Sequence, residues 1–192
     1  MIVARGTAAF SHAPLLVSSN ARRARRNAHE AFEIYAIDCS ALSGDFLGDA
    51  MRGSCLCGKV EFQIGGDLSK IYQCHCSLCR KQGGSSSNSA IIADVRNFRW
   101  ISGQEQISSY VKPTGFRSDF CSRCGSPVPN PLRTTAYYWV PAGLLDDNMS
   151  LEVGAHLFVG SKASWDTISS SVPQYETMPK LSEFFELMHP RV

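Results

Sequence analysis

The sequence predicts an all-β domain, and three observations carry that expectation. Apolar and polar residues alternate over short runs, as in Lys59-Val60-Glu61-Phe62-Gln63-Ile64, where Val60, Phe62 and Ile64 fall on one face. Such runs recur roughly every ten residues between Gly, Pro, Asp and Ser, the rhythm of short strands in a sheet protein. Apolar spacing at a helical period is confined to Leu181, Phe184, Phe185 and Met188, so one short C-terminal helix is expected.

The elements follow in order. After the strand at Lys59–Ile64, Gly65-Gly66-Asp67 reads as a turn. Ile71-Tyr72-Gln73 is a strand leading into a cysteine cluster. Gly83-Gly84 and Ser85–Ser87 make a loop, and Ser89–Ala93 and Phe98–Ile101 are strands. Ile107–Lys112 and Phe116–Phe120 flank Pro113-Thr114-Gly115 as a hairpin. Ala136–Val140 and Glu152–Val159 complete the β body.

Residues 1–50 differ from the rest. The first acidic residue is Glu30, and Arg5, Arg22, Arg23, Arg25 and Arg26 precede it. The segment reads as an N-terminal extension, expected to be poorly ordered, with Met51 as an internal start and residues 51–192 as the metal domain. The same acid-poor, Arg-rich composition also suits an organellar transit peptide, which would direct the chain to mitochondria. Cys39 has no partner cluster and reads as a free thiol.

Composition excludes several classes. Hydrophobic residues make up 44% and charged residues 19%, a globular balance rather than a disordered one. No apolar run is long enough to span a membrane. Of 19 Lys and Arg, five precede Met51, as do five of 17 Asp and Glu, so the net charge of +2 belongs to the metal domain alone. That is thin support for phosphate binding, and nucleic acid is not an expected partner.

Seven of the eight cysteines fall in three clusters: Cys55 and Cys57; Cys74, Cys76 and Cys79; Cys121 and Cys124. Neighbours this close rarely pair with each other but share a metal readily, which points to a reducing, cytoplasmic setting. A closed structural zinc takes four ligands, and a catalytic zinc takes three and keeps one position open. Seven thiols divide as four plus three, implying two zinc ions per chain. Cys55, Cys57, Cys121 and Cys124 are expected to share one zinc, the alternative being that the two pairs bind separate metals or none. Gly58 and Gly125 follow the two pairs and allow the tight bends such a site needs.

Cys74, Cys76 and Cys79 form the second, open site, suited to binding a small thiol as thiolate. His75 lies between two of these ligands and is expected to point the other way. His156 reads as a ligand, a general acid or a buried hydrogen-bonded residue. Arg80 and Lys81 could hold a substrate carboxylate or sit in a solvated turn.

Three motifs in order carry a resemblance: Gly53-Ser54-Cys55-Leu56-Cys57-Gly58, then Cys74-His75-Cys76-Ser77-Leu78-Cys79-Arg80-Lys81, then Phe120-Cys121-Ser122-Arg123-Cys124-Gly125-Ser126. The chain resembles the glutathione-dependent formaldehyde-activating enzyme family, whose domain centromere protein V shares. Pro141–Asp147 and His156–Trp165 resemble it too, and the likeness covers roughly residues 52 to 179.

The resemblance implies a β-tent of twisted antiparallel sheets clamped by a structural zinc on Cys55, Cys57, Cys121 and Cys124. It assigns Cys74, Cys76 and Cys79 to a catalytic zinc. The implied activity joins glutathione to formaldehyde as S-hydroxymethylglutathione, a carbon–sulfur lyase reaction run in reverse. The alternative implied by centromere protein V is a non-enzymatic zinc module that binds protein or nucleic acid.

Overall fold

Why a strand such as Ser89–Ala93 is apolar on both sides, rather than alternating, becomes plain from the sheets around it. The computed structural model describes residues 50–66, 68, 70–133, 135–146, 150–169 and 171–189. The expected extension, Cys39 included, lies outside the described residues save for Ala50.

The strands in chain order are β1 (Met51–Ser54), β2 (Glu61–Ile64), β3 (Lys70–Cys74), β4 (Asn88–Asp94), β5 (Phe98–Ser102) and β6 (Ile107–Val111). They continue as β7 (Arg117–Cys121), β8 (Pro127–Val128), β9 (Asn130–Pro131), β10 (Tyr137–Pro141), β11 (Glu152–Leu157) and β12 (Gln174–Tyr175). Two α-helices are described, α1 (Ser77–Gly83) and α2 (Leu181–Met188). Among the described residues no helix is long and apolar enough to cross a membrane.

The strands form three sheets, in the orders β1-β2-β5, β12-β11-β3-β4-β10-β9 and β6-β7-β8. The all-β expectation with a short C-terminal helix is borne out. The pairing is antiparallel except at β11, which runs parallel to both β3 and β12, so the six-stranded sheet is mixed.

That six-stranded sheet is covered on both faces. On one, Ile91, Ala93 and Val140 meet Met51, Phe62, Ile64 and Phe98 of the first sheet. The Phe98 ring stacks on Tyr138 at 4.1 Å and meets Trp100 edge-on at 5.0 Å. On the other face, Tyr72, Ala90, Ile92, Ala155 and Leu157 receive Phe184 and Met188 of α2. Successive residues of a strand point to opposite faces, so β4 needs apolar side chains at every position from Ala90 to Ala93. Phe62 is fully buried, and removing a side chain of that size from water contributes about 1.5–3 kcal/mol. A third, smaller cluster of Cys55, Val60, Cys121 and Val128 lies where the first and third sheets meet.

Several details depart from the sequence expectation. A strand, β1, precedes Cys55, although Met51-Arg52-Gly53-Ser54 has no apolar alternation; it forms because it pairs with β2 from Met51↔Ile64 to Ser54↔Glu61. Helix α1 was not expected, because it has no fully buried residue and hence no apolar face to detect. It takes in Gly83, and the loop begins at Gly84, whose φ of 61° caps it. On α2, Phe184 and Met188 are buried as expected, whereas Leu181 is exposed. Phe185 is half-buried against the ring of Tyr137 at 4.4 Å.

Candidate metal centres

The four-cysteine group is built by two tight bends. At the end of β1, Gly58 N–H donates to the Cys55 carbonyl at 2.8 Å and Cys55 N–H donates to the Val60 carbonyl at 3.0 Å. Gly58 supplies the φ of 67° this bend requires. At the end of β7, Gly125 N–H donates to the Cys121 carbonyl at 2.8 Å, with Gly125 at φ 77°. Both glycine bends expected from the sequence are present.

The bends bring Cys55, Cys57, Cys121 and Cys124 together with all four sulfurs within 4.8 Å of one another. Cys55 Sγ lies 3.6 Å from Cys57 Sγ, and Cys57 Sγ lies 3.9 Å from Cys121 Sγ across 64 residues of chain. A tetrahedral ion with bonds to sulfur of about 2.3 Å needs sulfurs about 3.8 Å apart, so the group fits zinc. Val60 N–H points at Cys55 Sγ at 3.3 Å, an amide placed to stabilise a thiolate.

Ser126 joins the two bends, a role the sequence reading did not assign it. Its hydroxyl accepts from Leu56 N–H at 3.1 Å and lies 3.4 Å from Cys124 Sγ. The Ser126 side chain is the main influence that holds the Cys124 thiol at about 5, well below the ordinary thiol range.

The second group sits at the end of β3. Cys74 ends the strand, Cys76 is the N-cap of α1, and Cys79 lies in the helix. Cys79 N–H donates to Cys76 Sγ at 3.4 Å. The three sulfurs again lie within 4.8 Å of one another, with Cys74 buried and Cys76 and Cys79 half-buried. Hydrogen bonds from the Cys74 and Cys79 thiols hold Cys76 down to about 2. The contact with Cys76 pushes Cys74 up to about 11, and contacts with Cys74 and Cys76 push Cys79 higher still. A divalent cation among them would let all three ionise, and thiol chemistry selects a soft ion such as zinc.

His75 points away from the sulfurs, as expected, and is buried behind them. It is 2% exposed, with Nδ1 2.8 Å from Asp166 Oδ2 and Nε2 3.0 Å from His156 Nδ1. His156 is the buried, hydrogen-bonded residue of the three readings. It pairs with Gln73 and Leu157 pairs with Cys74, so His156 lies on the opposite face of the sheet from Leu157. Cys74 and Leu157 share one cluster, which separates His156 from the thiols. Burial lowers the His156 pKa, and the neighbouring His75 adds to the effect.

Arg80 is not free for a substrate alone. Its Nε donates to the His75 carbonyl at 3.2 Å and its Nη2 to the Ser161 carbonyl at 3.3 Å. Lys81 is exposed on α1. Asp166 was missed by the sequence reading: its bond to His75 spans 91 residues, and no local pattern signals it.

The profile of the family described as glutathione-dependent formaldehyde-activating enzyme matches residues 50–161, more than half of the chain. The chain belongs to this family. A Halomonas elongata protein named "Putative glutathione-dependent formaldehyde-activating enzyme" is 27% identical over 128 residues, covering 62% of this chain and 82% of that protein. A crystal structure of a Rhodobacter sphaeroides protein aligns with 22% identity and a TM-score of 0.44, over 65% of this chain and 99% of that one. Within the family match lie all seven clustered cysteines, His75 and His156, whereas Asp166 falls just beyond it.

Proposed function

We propose that this member of the family is a two-zinc enzyme that joins a small, glutathione-like thiol to formaldehyde or a related aldehyde, or cleaves the adduct. The observation that carries this reading is the compact three-sulfur group of Cys74, Cys76 and Cys79, separate from a four-sulfur group that already offers a complete tetrahedral shell. Cys55, Cys57, Cys121 and Cys124 would hold the structural ion, and Cys74, Cys76 and Cys79 the catalytic one. When bound at the second site, zinc would lower the pKa of an incoming thiol and polarise the aldehyde oxygen.

The bonds balance simply. A carbon–sulfur bond forms, the carbonyl π pair moves to oxygen, and the thiol proton ends on that oxygen as the hydroxyl of R–S–CH2OH. No oxidant is consumed. The reverse reaction is a carbon–sulfur lyase step. Within the chain, Cys74, Cys76 and Cys79 offer three sulfurs to one ion, and Arg80 ties α1 to the Ser161 carbonyl beside it. None of the seven described cysteines is in a disulfide, which suits a cytoplasmic, reducing compartment.

The test is a panel of small thiols and aldehydes assayed on protein of measured zinc content. Close to two zinc ions per chain are expected, with adduct formation or cleavage faster than the uncatalysed rate for at least one pair. One ion per chain would contradict the four-plus-three division. Two ions with no turnover across the panel would favour a non-enzymatic zinc module instead.

A further inference from the structure

We propose that Asp166, His75 and His156 form a positioning chain that sets the spacing of the Cys74 and Cys76 sulfurs, an inference that rests on reading the triple-cysteine group as a metal site.

Cys74 and Cys76 are alternate residues. On a regular strand their side chains would share a face but stand about 7 Å apart, since each residue advances the chain by about 3.3 Å. Their sulfurs nevertheless lie within 4.8 Å. The chain leaves β3 after Cys74 and bends at Cys76 into α1, with His75 as the single residue between the two cysteines.

His75 is tied at four points. Its N–H donates to the Leu157 carbonyl at 2.9 Å, and its carbonyl accepts from Arg80 Nε at 3.2 Å. Nδ1 faces a carboxylate, so it carries a proton and donates to Asp166 Oδ2. That leaves Nε2 to accept from His156 Nδ1–H.

Both ends of the chain are themselves held. Asp166 N–H donates to the Ala163 carbonyl at 3.0 Å, and the Asp166 carbonyl accepts from Lys162 Nζ at 2.8 Å. His156 lies in β11, where its N–H donates to the Pro173 carbonyl at 2.9 Å. Two buried imidazoles beside a half-buried carboxylate are costly compared with apolar side chains of the same size. The cost is higher here because His156 Nε2 is buried without a hydrogen-bond partner. Packing alone would be served better by apolar residues. Hydrogen bonds that fix the His75 ring fix the residue between the end of β3 and the bend at Cys76, and with it the directions in which both sulfurs leave the chain.

The test uses the full chain with the four-cysteine site filled by one equivalent of zinc, and titrates cobalt alone into the remaining site. Asp166→Ala should weaken cobalt binding by about 10–100-fold, the usual effect of removing a partner that orients a metal ligand. It should also shift the cobalt bands while leaving the first equivalent of zinc in place. Asp166→Asn keeps an oxygen that accepts from His75 Nδ1–H, and should stay within a few-fold of the unaltered protein.

Unchanged affinity and bands in Asp166→Ala would overturn the proposal. So would equal losses in Ala and Asn, because the hydrogen bond rather than the charge is what positions the ring. If Asp166→Ala fails to fold, His156→Phe removes the far link at similar volume and decides by the same titration. No thiol or aldehyde is present, so an inactive enzyme with the expected cobalt losses would count against the proposed reaction and not against the positioning chain.

Discussion

Replacing Cys121 with Ser is expected to unfold the domain. Cys121 ends β7, is fully buried and packs with Cys55, Val60 and Val128 where the first and third sheets meet. Its sulfur faces that of Cys57, from a segment 64 residues away. A structural zinc in a small peptide contributes an apparent 10–16 kcal/mol, roughly, at neutral pH. The net stability of a whole domain is only about 5–15 kcal/mol. The ion's contribution is therefore as large as the margin it supports, and a lost ligand also leaves a polar hydroxyl in an apolar cluster. Thermal unfolding followed by circular dichroism should show a transition that is absent or far below that of the unaltered protein. Cys124→Ser should behave the same way. A melting temperature within a few degrees of the original would mean that no ion clamps these bends.

Replacing Cys76 with Ser should have the opposite profile, sparing the fold and abolishing the reaction. Cys76 is half-buried at the start of α1, a short helix with no fully buried residue. Its contribution to packing is correspondingly small. Yet its sulfur is the one on which the Cys74 and Cys79 thiols converge. Loss of a direct ligand should exceed the 10–100-fold effect of losing an outer partner, so activity should fall by more than about 100-fold while the zinc content drops toward one per chain. If Cys76→Ser melts as badly as Cys124→Ser, the two groups do not divide structure from chemistry.

Much of this was legible in the residues because the signals are local. Strand β2 shows in the alternation of Val60, Phe62 and Ile64, although the ladder starts one residue after Val60, at Glu61. The cysteine spacings and the glycines after them foretold both bends. Strand β1 was invisible because its pairing with β2, not its own pattern, makes it a strand. The parallel course of β11 was equally hidden, since alternation records which face a residue occupies and not the direction of its neighbour. Helix α1 leaves no apolar stripe because its function is to carry Cys79 toward Cys76 rather than to cover core. The sequence showed that His75 would turn from its flanking cysteines. It could not show what waits on the far side, because Asp166 and His156 arrive from segments 91 and 81 residues away.

The central claim is that the triple-cysteine site takes a thiol as an additional ligand, and cobalt substitution tests it most directly. Thiolate ligation to cobalt gives intense charge-transfer absorption whose strength follows the number of sulfurs bound. Adding glutathione to the cobalt-loaded protein should raise that absorption by about one thiolate, since a three-thiolate site keeps one position open. The increase should grow as pH rises toward neutrality, because the incoming thiol must lose its proton to bind. It should vanish in Cys76→Ser. A spectrum unchanged by glutathione and by other small thiols, on protein carrying both ions, would contradict the account.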